Sequence, residues 1–382
     1  MRKIAVVTGT RAEYGPLKPL MQAIENDKTL KLIPLITGMH LLSDYGNTYK
    51  LVEKDFSHSV KIPMLLEGDS LKDMALYLSS GIKNFATYFS QHPPDIVVVT
   101  GDRSEQLAAA LAALYLNIPI AHINGGDVSG GMVDESIRHA ITKIAHVHFA
   151  YTKQNAERIK KMGEDTYRIH KTGAIAIEAI LQTKLKSKKE LFKTYQLDPD
   201  KTTILVVQHP LTTLKDRGYT QFQELLQALD ALQEQTVLVY PNCDAGSKKF
   251  ITLLERYKNR PYLHLFKNIP HEDYVGFMKY VDVMIGNSSS GIIEAPTLKT
   301  PVINIGGRQN GRDRSKNIHQ VDRPTKEEIL NSIRFVLTDK VFKNKVKKCK
   351  NEYGAGNVSQ KIVDILKHLK IDERLIQKQI TY

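Results

Sequence analysis

Short, almost unbroken runs of apolar and β-branched residues recur along this chain, and each is separated from the next by a longer amphipathic stretch. In the first half the runs are Ile4–Thr8, Lys31–Thr37, Ile96–Thr100, Ile118–Asn124 and Val147–Tyr151. In the second half they are Thr203–Gln208, Thr236–Pro241, Leu263–Phe266, Val281–Gly286 and Val302–Ile305. Runs that are apolar at nearly every position, rather than at alternate ones, suit parallel strands covered on both faces. The stretches Leu17–Glu25, Ser104–Tyr115, Asp134–Ile144 and Tyr219–Gln233 read as helices between them. Alternation of this kind implies right-handed crossovers. The expected fold class is α/β, with two Rossmann-like doubly wound domains and an interdomain cleft.

A chain of 382 residues suits two domains of ordinary size. The break is expected after the strand-like Tyr167–Thr172, because residues 184–201 are rich in lysine, contain Pro199 and lead into a fresh strand. The division drawn is 1–176, 177–364, and a C-terminal helix over 365–382 that packs back on the first domain. Met1-Arg2-Lys3 is basic, yet only Ile4–Val7 follows as an apolar stretch, too short for a signal peptide. No run approaches the ~20 apolar residues of a membrane helix. Cys243 and Cys349 show no CxxC pattern, so neither a disulfide framework nor a zinc ribbon is indicated, and a cytoplasmic location is expected. The net charge of +13 attracts polyanions or phosphorylated small molecules alike. The lysines of 340–350 carry no interleaved aromatic residues and read as the solvated face of a helix, which argues against nucleic acid.

Small and polar residues gather where the strands end. Val7 is followed by Thr8-Gly9-Thr10-Arg11-Ala12-Glu13, Val99 by Thr100-Gly101-Asp102-Arg103, and Ile123 by Asn124-Gly125-Gly126-Asp127. In the second half Val207 precedes Gln208-His209-Pro210, Ile285 precedes Gly286-Asn287-Ser288-Ser289-Ser290-Gly291, and Ile305 precedes Gly306-Gly307-Arg308. Ligands of doubly wound sheets bind beyond the carboxyl ends of the strands. Clusters repeated on two successive sheets suggest two half-sites facing one cleft.

Ser288, Ser289, Ser290 and Gly291 form a candidate phosphate cradle, since the turn ends a strand and opens a helix at Gly291. The plainer reading is a serine N-cap. Glu294 suits a ribose or a helix's first turn equally. Arg11 and Arg308 carry forked guanidinium groups matched to a diphosphate. His209 suits a phosphate contact or a proton transfer, and equally an ordinary loop position. Asp102, Asp127 and Asp134 are carboxylates fit to take a proton from a sugar carbon while a phosphate leaves; for Asp134 a helix cap with an ion pair to Arg138 is the alternative. His146 and His148 are discounted as a metal pair. No GxxxxGK[ST] or GxGxxG fingerprint is present, and no cofactor is expected.

At these residues the chain resembles the hydrolysing UDP-N-acetylglucosamine 2-epimerases of sialic-acid biosynthesis. The resemblance rests on Thr10-Arg11-Ala12-Glu13-Tyr14, on Gly38-Met39-His40-Leu41-Leu42-Ser43-Asp44-Tyr45-Gly46-Asn47-Thr48-Tyr49, and on Gly125-Gly126-Asp127-Val128-Ser129 leading into Asp134-Glu135-Ser136-Ile137-Arg138-His139-Ala140-Ile141-Thr142-Lys143. It continues through Gln208-His209-Pro210-Leu211-Thr212-Thr213, Ile285-Gly286-Asn287-Ser288-Ser289 and Pro301-Val302-Ile303-Asn304-Ile305-Gly306-Gly307-Arg308-Gln309.

The resemblance implies a fold like that of two-domain sugar-nucleotide glycosyltransferases, with UDP held mostly by the C-terminal domain. It places Ser288, Ser289 and Glu294 on the diphosphate and ribose, and Arg11, His209 and Arg308 around the phosphates and sugar. Asp102, Asp127 and Asp134 become the catalytic acids. The implied reaction is anti elimination of UDP to a 2-acetamidoglucal, then syn addition of water to give N-acetylmannosamine. Asp127 stands where many relatives carry glutamate. Arg11-Ala12-Glu13 differs from the Arg-Pro-Glu pattern of non-hydrolysing 2-epimerases, which favours release of free sugar. No kinase half follows residue 382, so the resemblance is to the single-function form. The family also implies a homodimer or homotetramer. The leading substrate is UDP-N-acetylglucosamine; the rivals are a UDP- or GDP-2,4-diacetamido-trideoxy sugar in the same reaction, and a glycosyltransferase of like architecture.

Overall fold

The computed structural model describes residues 1–381 apart from 44–45, 66–67, 69, 131–132, 212–214 and 242–246, and omits the side chains of Leu71, Lys215 and Asp216. Cys243, together with Asp44, Tyr45, Thr212 and Thr213 of the quoted motifs, lies outside the described residues. The chain forms two compact units. One comprises Met1–Asp127, Asp134–Leu181 and Tyr353–Tyr382; the other comprises Val128–Val133 and Gln182–Glu352.

Among the described residues the first unit is built on seven strands: β1 (Arg2–Thr8), β2 (Leu30–Thr37), β3 (Val60–Ile62), β4 (Ile96–Thr100), β5 (Ile120–Ile123), β6 (Val147–Ala150) and β7 (Ile169–Lys171). They pair in the order β3-β2-β1-β4-β5-β6-β7, parallel throughout. The second unit has β8 (Thr203–Val207), β9 (Gln235–Val239), β10 (Leu263–Phe266), β11 (Val283–Gly286), β12 (Val302–Ile305) and β13 (Ile318–Val321), again all parallel, ordered β10-β9-β8-β11-β12-β13. The α/β expectation holds: each unit is a doubly wound sheet with helices on it. Two strands escaped the sequence reading. β3 has only three residues, and β13 carries His319 and Gln320 on an edge position where full burial is not required.

Residues apolar at every position make a strand two-sided. Ile4, Ala5, Val6 and Val7, and Ile96 through Val99, are all fully buried. Each such isoleucine or valine side chain contributes ~1.5–3 kcal/mol relative to exposure. The alanine-rich helix Ser104–Tyr115 lets helix Leu71–Gln91 come close: a Cβ added at Gly81 would stand 2.9 Å from Ala108 Cβ and 2.6 Å from Met64 Cε. In the second unit Phe222 stacks on Phe250 at 4.6 Å between centroids, inside a core that reaches Ile285, Ile303 and Val321.

The C-terminal segment belongs to the first unit. Helix Val358–His368 buries Val358, Ile362, Val363 and Leu366 and packs against helix Arg11–Asn26. Its first amides are capped from a distance, since Glu178 Oε2 accepts from Val358 N at 2.8 Å and Ser359 N at 2.6 Å. A single helix over 365–382 does not form. The chain leaves the helix at Leu369, and Asp372 caps a separate four-residue helix, Glu373–Ile376. Arg168 then holds that turn through Leu375 O at 2.8 Å and Arg374 O at 2.6 Å. Lys378 pairs with buried Glu164 at 2.7 Å.

Candidate active site

The order of the first sheet reverses between β1 and β4, so its ligand-binding edge lies at the loops that follow those strands. Thr10 caps helix Arg11–Asn26, which makes Arg11 its first residue, half-buried. Glu13 folds back beneath the loop: its Oε2 accepts from Gly9 N at 2.9 Å and from Gln106 Nε2 at 3.1 Å. Gln106 Oε1 accepts in turn from Thr100 N at 3.1 Å. One carboxyl and one amide therefore tie the Arg11 loop to the Asp102 loop. Burial, then the neighbouring charge of Glu105, pushes the Glu13 carboxyl up to about 7. Glu105 is itself fully buried and accepts from Tyr77 Oη at 2.8 Å. His40 steadies the same loop, with Nε2 3.0 Å from Thr8 Oγ1 and Nδ1 2.7 Å from Thr48 Oγ1; burial pulls it down to about 4, so it is neutral.

Asp102 follows Gly101, whose φ of +72° turns the chain sharply after β4. His122, buried and pulled down to about 3 by that burial, lies with Nε2 2.8 Å from Gly101 O and supports the turn from below. Arg138 is fully buried. Its Nη2 donates to Asp102 Oδ2, and its Nη1 donates to Glu135 Oε2 at 2.8 Å. A buried guanidinium gripping a carboxylate at a strand end fixes that carboxylate's direction through charge-assisted bonds.

Asp127 is 2% exposed and accepts from Asn155 Nδ2 at 3.2 Å. Its turn requires glycine at 126, where φ is +66° and a Cβ would come within 2.5 Å of Asn155 O. Asp134 sits half-buried in the first turn of helix Val133–Ile144, inside the helix rather than capping it. The three acids thus all belong to the first unit, where they follow β4 and β5 or open the next helix.

The second sheet reverses between β8 and β11. Helix Ser289–Ile293 starts two residues earlier than expected, with Ser288 as its N-cap accepting from Ser290 N at 3.4 Å. Five residues make a weak dipole, so local amides and hydroxyls dominate there. Ser290 Oγ is engaged by Tyr274 Oη at 2.7 Å and Ser288 Oγ at 2.8 Å. Gly291 is buried against β12; a Cβ there would lie 3.0 Å from Val302 Cγ1, so the close approach it permits is of helix to sheet. Glu294, at the end of that helix, is pushed up to about 7 by burial.

His209 and Arg308 meet at Asn287. The fully buried Asn287 side chain accepts from His209 N at 2.8 Å and donates to His209 O at 2.9 Å. Its main-chain oxygen accepts from Arg308 Nη1 at 3.0 Å and Gln309 Nε2 at 2.7 Å. Sequence reading passed over Asn287, Gln309, Tyr274, His122 and the Glu13–Gln106 pair. Only the Asn-Ser-Ser-Ser composition and a histidine inside an apolar strand signalled any of them.

A family model described as UDP-N-acetylglucosamine 2-epimerase matches residues 22–367. The chain belongs to this epimerase family. Among its relatives, a UDP-N,N'-diacetylbacillosamine 2-epimerase (hydrolyzing) of Legionella pneumophila is 37% identical over 100% of both chains. A GDP/UDP-N,N'-diacetylbacillosamine 2-epimerase (hydrolyzing) of Campylobacter jejuni is 38% identical over 83% of each. A UDP-N-acetylglucosamine 2-epimerase of Neisseria meningitidis is 34% identical over 85% of each. In fold, this epimerase matches the Neisseria meningitidis UDP-GlcNAc 2-epimerase crystal structure bound to UDP-GlcNAc at a TM-score of 0.81, with 21% identity and coverage of 95% and 99%. Among the epimerase's described residues, no helix is long and apolar enough to cross a membrane.

Proposed function

We propose that the chain is a hydrolysing 2-epimerase that takes a UDP-linked 2-acetamido sugar to the free 2-epimeric sugar and UDP. The observation that carries this reading is the carboxylate of Asp102, held by the buried Arg138 at the carboxyl end of β4. The C2–H of a hexose is not acidic. The C1–O bond therefore breaks largely ahead of proton removal, and a carboxylate of fixed direction stabilises the cationic carbon and accepts the proton. Charge grows on the departing UDP as this happens. Arg308, Arg11 and His209, with the amides and hydroxyls at Ser288 and Ser289, are the groups suited to receive it. Hydration of the resulting glycal then needs a proton delivered to C2, for which Asp127 and Asp134 are the remaining acids. Glu294 takes the ribose. Arg11-Ala12-Glu13 and the hydrolysing relatives support release of free sugar over return of a nucleotide sugar.

For the sugar itself, the two diacetylbacillosamine 2-epimerases at 37% and 38% identity favour a 2,4-diacetamido-2,4,6-trideoxyhexose, with N-acetylglucosamine as the second reading. A cytoplasmic, homo-oligomeric enzyme follows from the same family likeness. The deciding experiment is proton NMR in deuterated water with each UDP-sugar in turn. Release of UDP with a free, C2-deuterated epimer is expected, and Asp102→Asn is expected to abolish turnover while UDP still binds. Recovery of an intact epimerised UDP-sugar would refute the hydrolysing class, and inert wild-type protein with both sugars would refute the reading altogether.

A further inference from the structure

We infer that Asn287 is a positioning residue that sets His209 in register with the Ser288 cradle. Three strand-end loops converge on it, those after β8, β11 and β12. The side-chain amide makes a two-point contact with one residue across the sheet reversal, accepting from His209 N and donating to His209 O. Two bonds to the N–H and C=O of a single loop residue fix its position and the plane of its peptides, much as a strand partner would. The β8 ladder ends at Val207, and the Asn287 side chain carries the pairing on to residue 209.

The main-chain oxygen of Asn287 carries a second, separate task. It accepts from Arg308 Nη1 and from Gln309 Nε2, and the fully buried Gln309 takes Arg312 Nη1 on its Oε1 at 2.8 Å. Arg312 Nε donates to Val128 O at 2.8 Å. Substitution of the side chain therefore removes the His209 contact and leaves the acceptor for Arg308 in place. Gly286 makes this geometry possible. Its φ is +140°, and a Cβ there would stand 2.1 Å from Val207 O, so only glycine lets β11 turn its next residue toward β8.

The inference rests on the proposed reaction, in which His209 faces the phosphates and sugar, so its test separates the two. Asn287→Ala is expected to lower kcat about 30- to 100-fold, a size usual for losing one positioned proton-transfer or charge-stabilising group, with KM and UDP affinity within about threefold. Asn287→Asp keeps the acceptor for His209 N and is expected to lose less. In a double-mutant cycle, Asn287→Ala added to His209→Ala should cost at most about threefold more than His209→Ala alone. Full multiplicative losses, or a rise in KM at unchanged kcat, would overturn the assignment. Hydrogen exchange at the His209 amide is followed in parallel. Accelerated exchange in Asn287→Ala with no wild-type turnover would fail the reaction and keep the clamp, whereas unchanged exchange in Asn287→Ala would fail the clamp whatever the turnover. If Asn287→Ala does not fold, Asn287→Val, which also removes both bonds to His209 and leaves a smaller cavity, carries the same arms.

Discussion

At the scale of single residues, buried groups with displaced titration set the electrostatics around the loops after β1 and β4. Glu13 titrates near 7 in the folded chain against about 4.5 when exposed, chiefly because it is buried and then because Glu105 is close. Between those values the native state keeps a proton that the unfolded state has released, so stability falls as pH rises through this window. His40 and His122 act in the opposite sense, since burial holds them neutral and the unfolded chain protonates first as pH falls. The difference between wild type and Glu13→Gln cancels these histidines. The variant should therefore gain stability relative to wild type from pH 5 to pH 8, by on the order of 1 kcal/mol, measured by urea unfolding across that range. Two parallel curves would show that Glu13 is ionised in the fold. None of this was visible beforehand. Glu13 was read as part of a motif, but its partner Gln106 is far away in sequence and reaches it only because β1 and β4 are neighbours.

At the scale of elements, legibility followed burial. Strands covered on both faces announced themselves as unbroken apolar runs, and β4, β10 and β12 match their expected limits. The helix Arg11–Asn26 was half hidden, because Pro16 and Pro19 interrupt its first turns and argue against helix there. Edge strand β13 was hidden by its polar residues. The cradle helix was placed two residues late because the serines were read as loop, whereas Ser288 caps and Ser289 and Ser290 are already helical. Helix Val358–His368 shows a further device. Its N-cap Asn357 makes no side-chain cap bond, and a carboxylate from another helix, Glu178, receives the first amides instead. A negative charge on two free N–H groups at a helix start is favourable on both hydrogen-bond and dipole grounds. Glu178→Ala is expected to cost about 1–2 kcal/mol of stability in chemical denaturation. A change within experimental scatter would mean that Asn357 or water replaces the cap.

At the scale of the whole molecule, the two units are not two halves of the sequence. Residues 128–133 and 182–352 form one, and residues 1–127, 134–181 and 353–382 form the other. Residues 353–382 group with the first unit, where helix Val358–His368 packs against helix Arg11–Asn26 and buries its own Val358, Ile362, Val363 and Leu366. The burial of those four apolar side chains represents ~6–12 kcal/mol on a generous count, comparable to a domain's total stability. Removal of residues 353–382 is accordingly expected to leave the first unit unable to fold cooperatively, with its unfolding transition lost in calorimetry while that of residues 182–352 persists. Two intact transitions in the truncated protein would contradict this.

That interleaving has a consequence for how the protein is made. A ribosome delivers Arg2 long before its partner, because Arg2 Nη1 donates to Lys367 O at 3.0 Å, 365 residues later in the chain. The nascent first unit must wait, with its greasy side uncovered, while the whole middle of the chain emerges and folds. Chaperone dependence, and a burst of misfolding whenever elongation stalls before codon 353, would be the cellular mark of this arrangement.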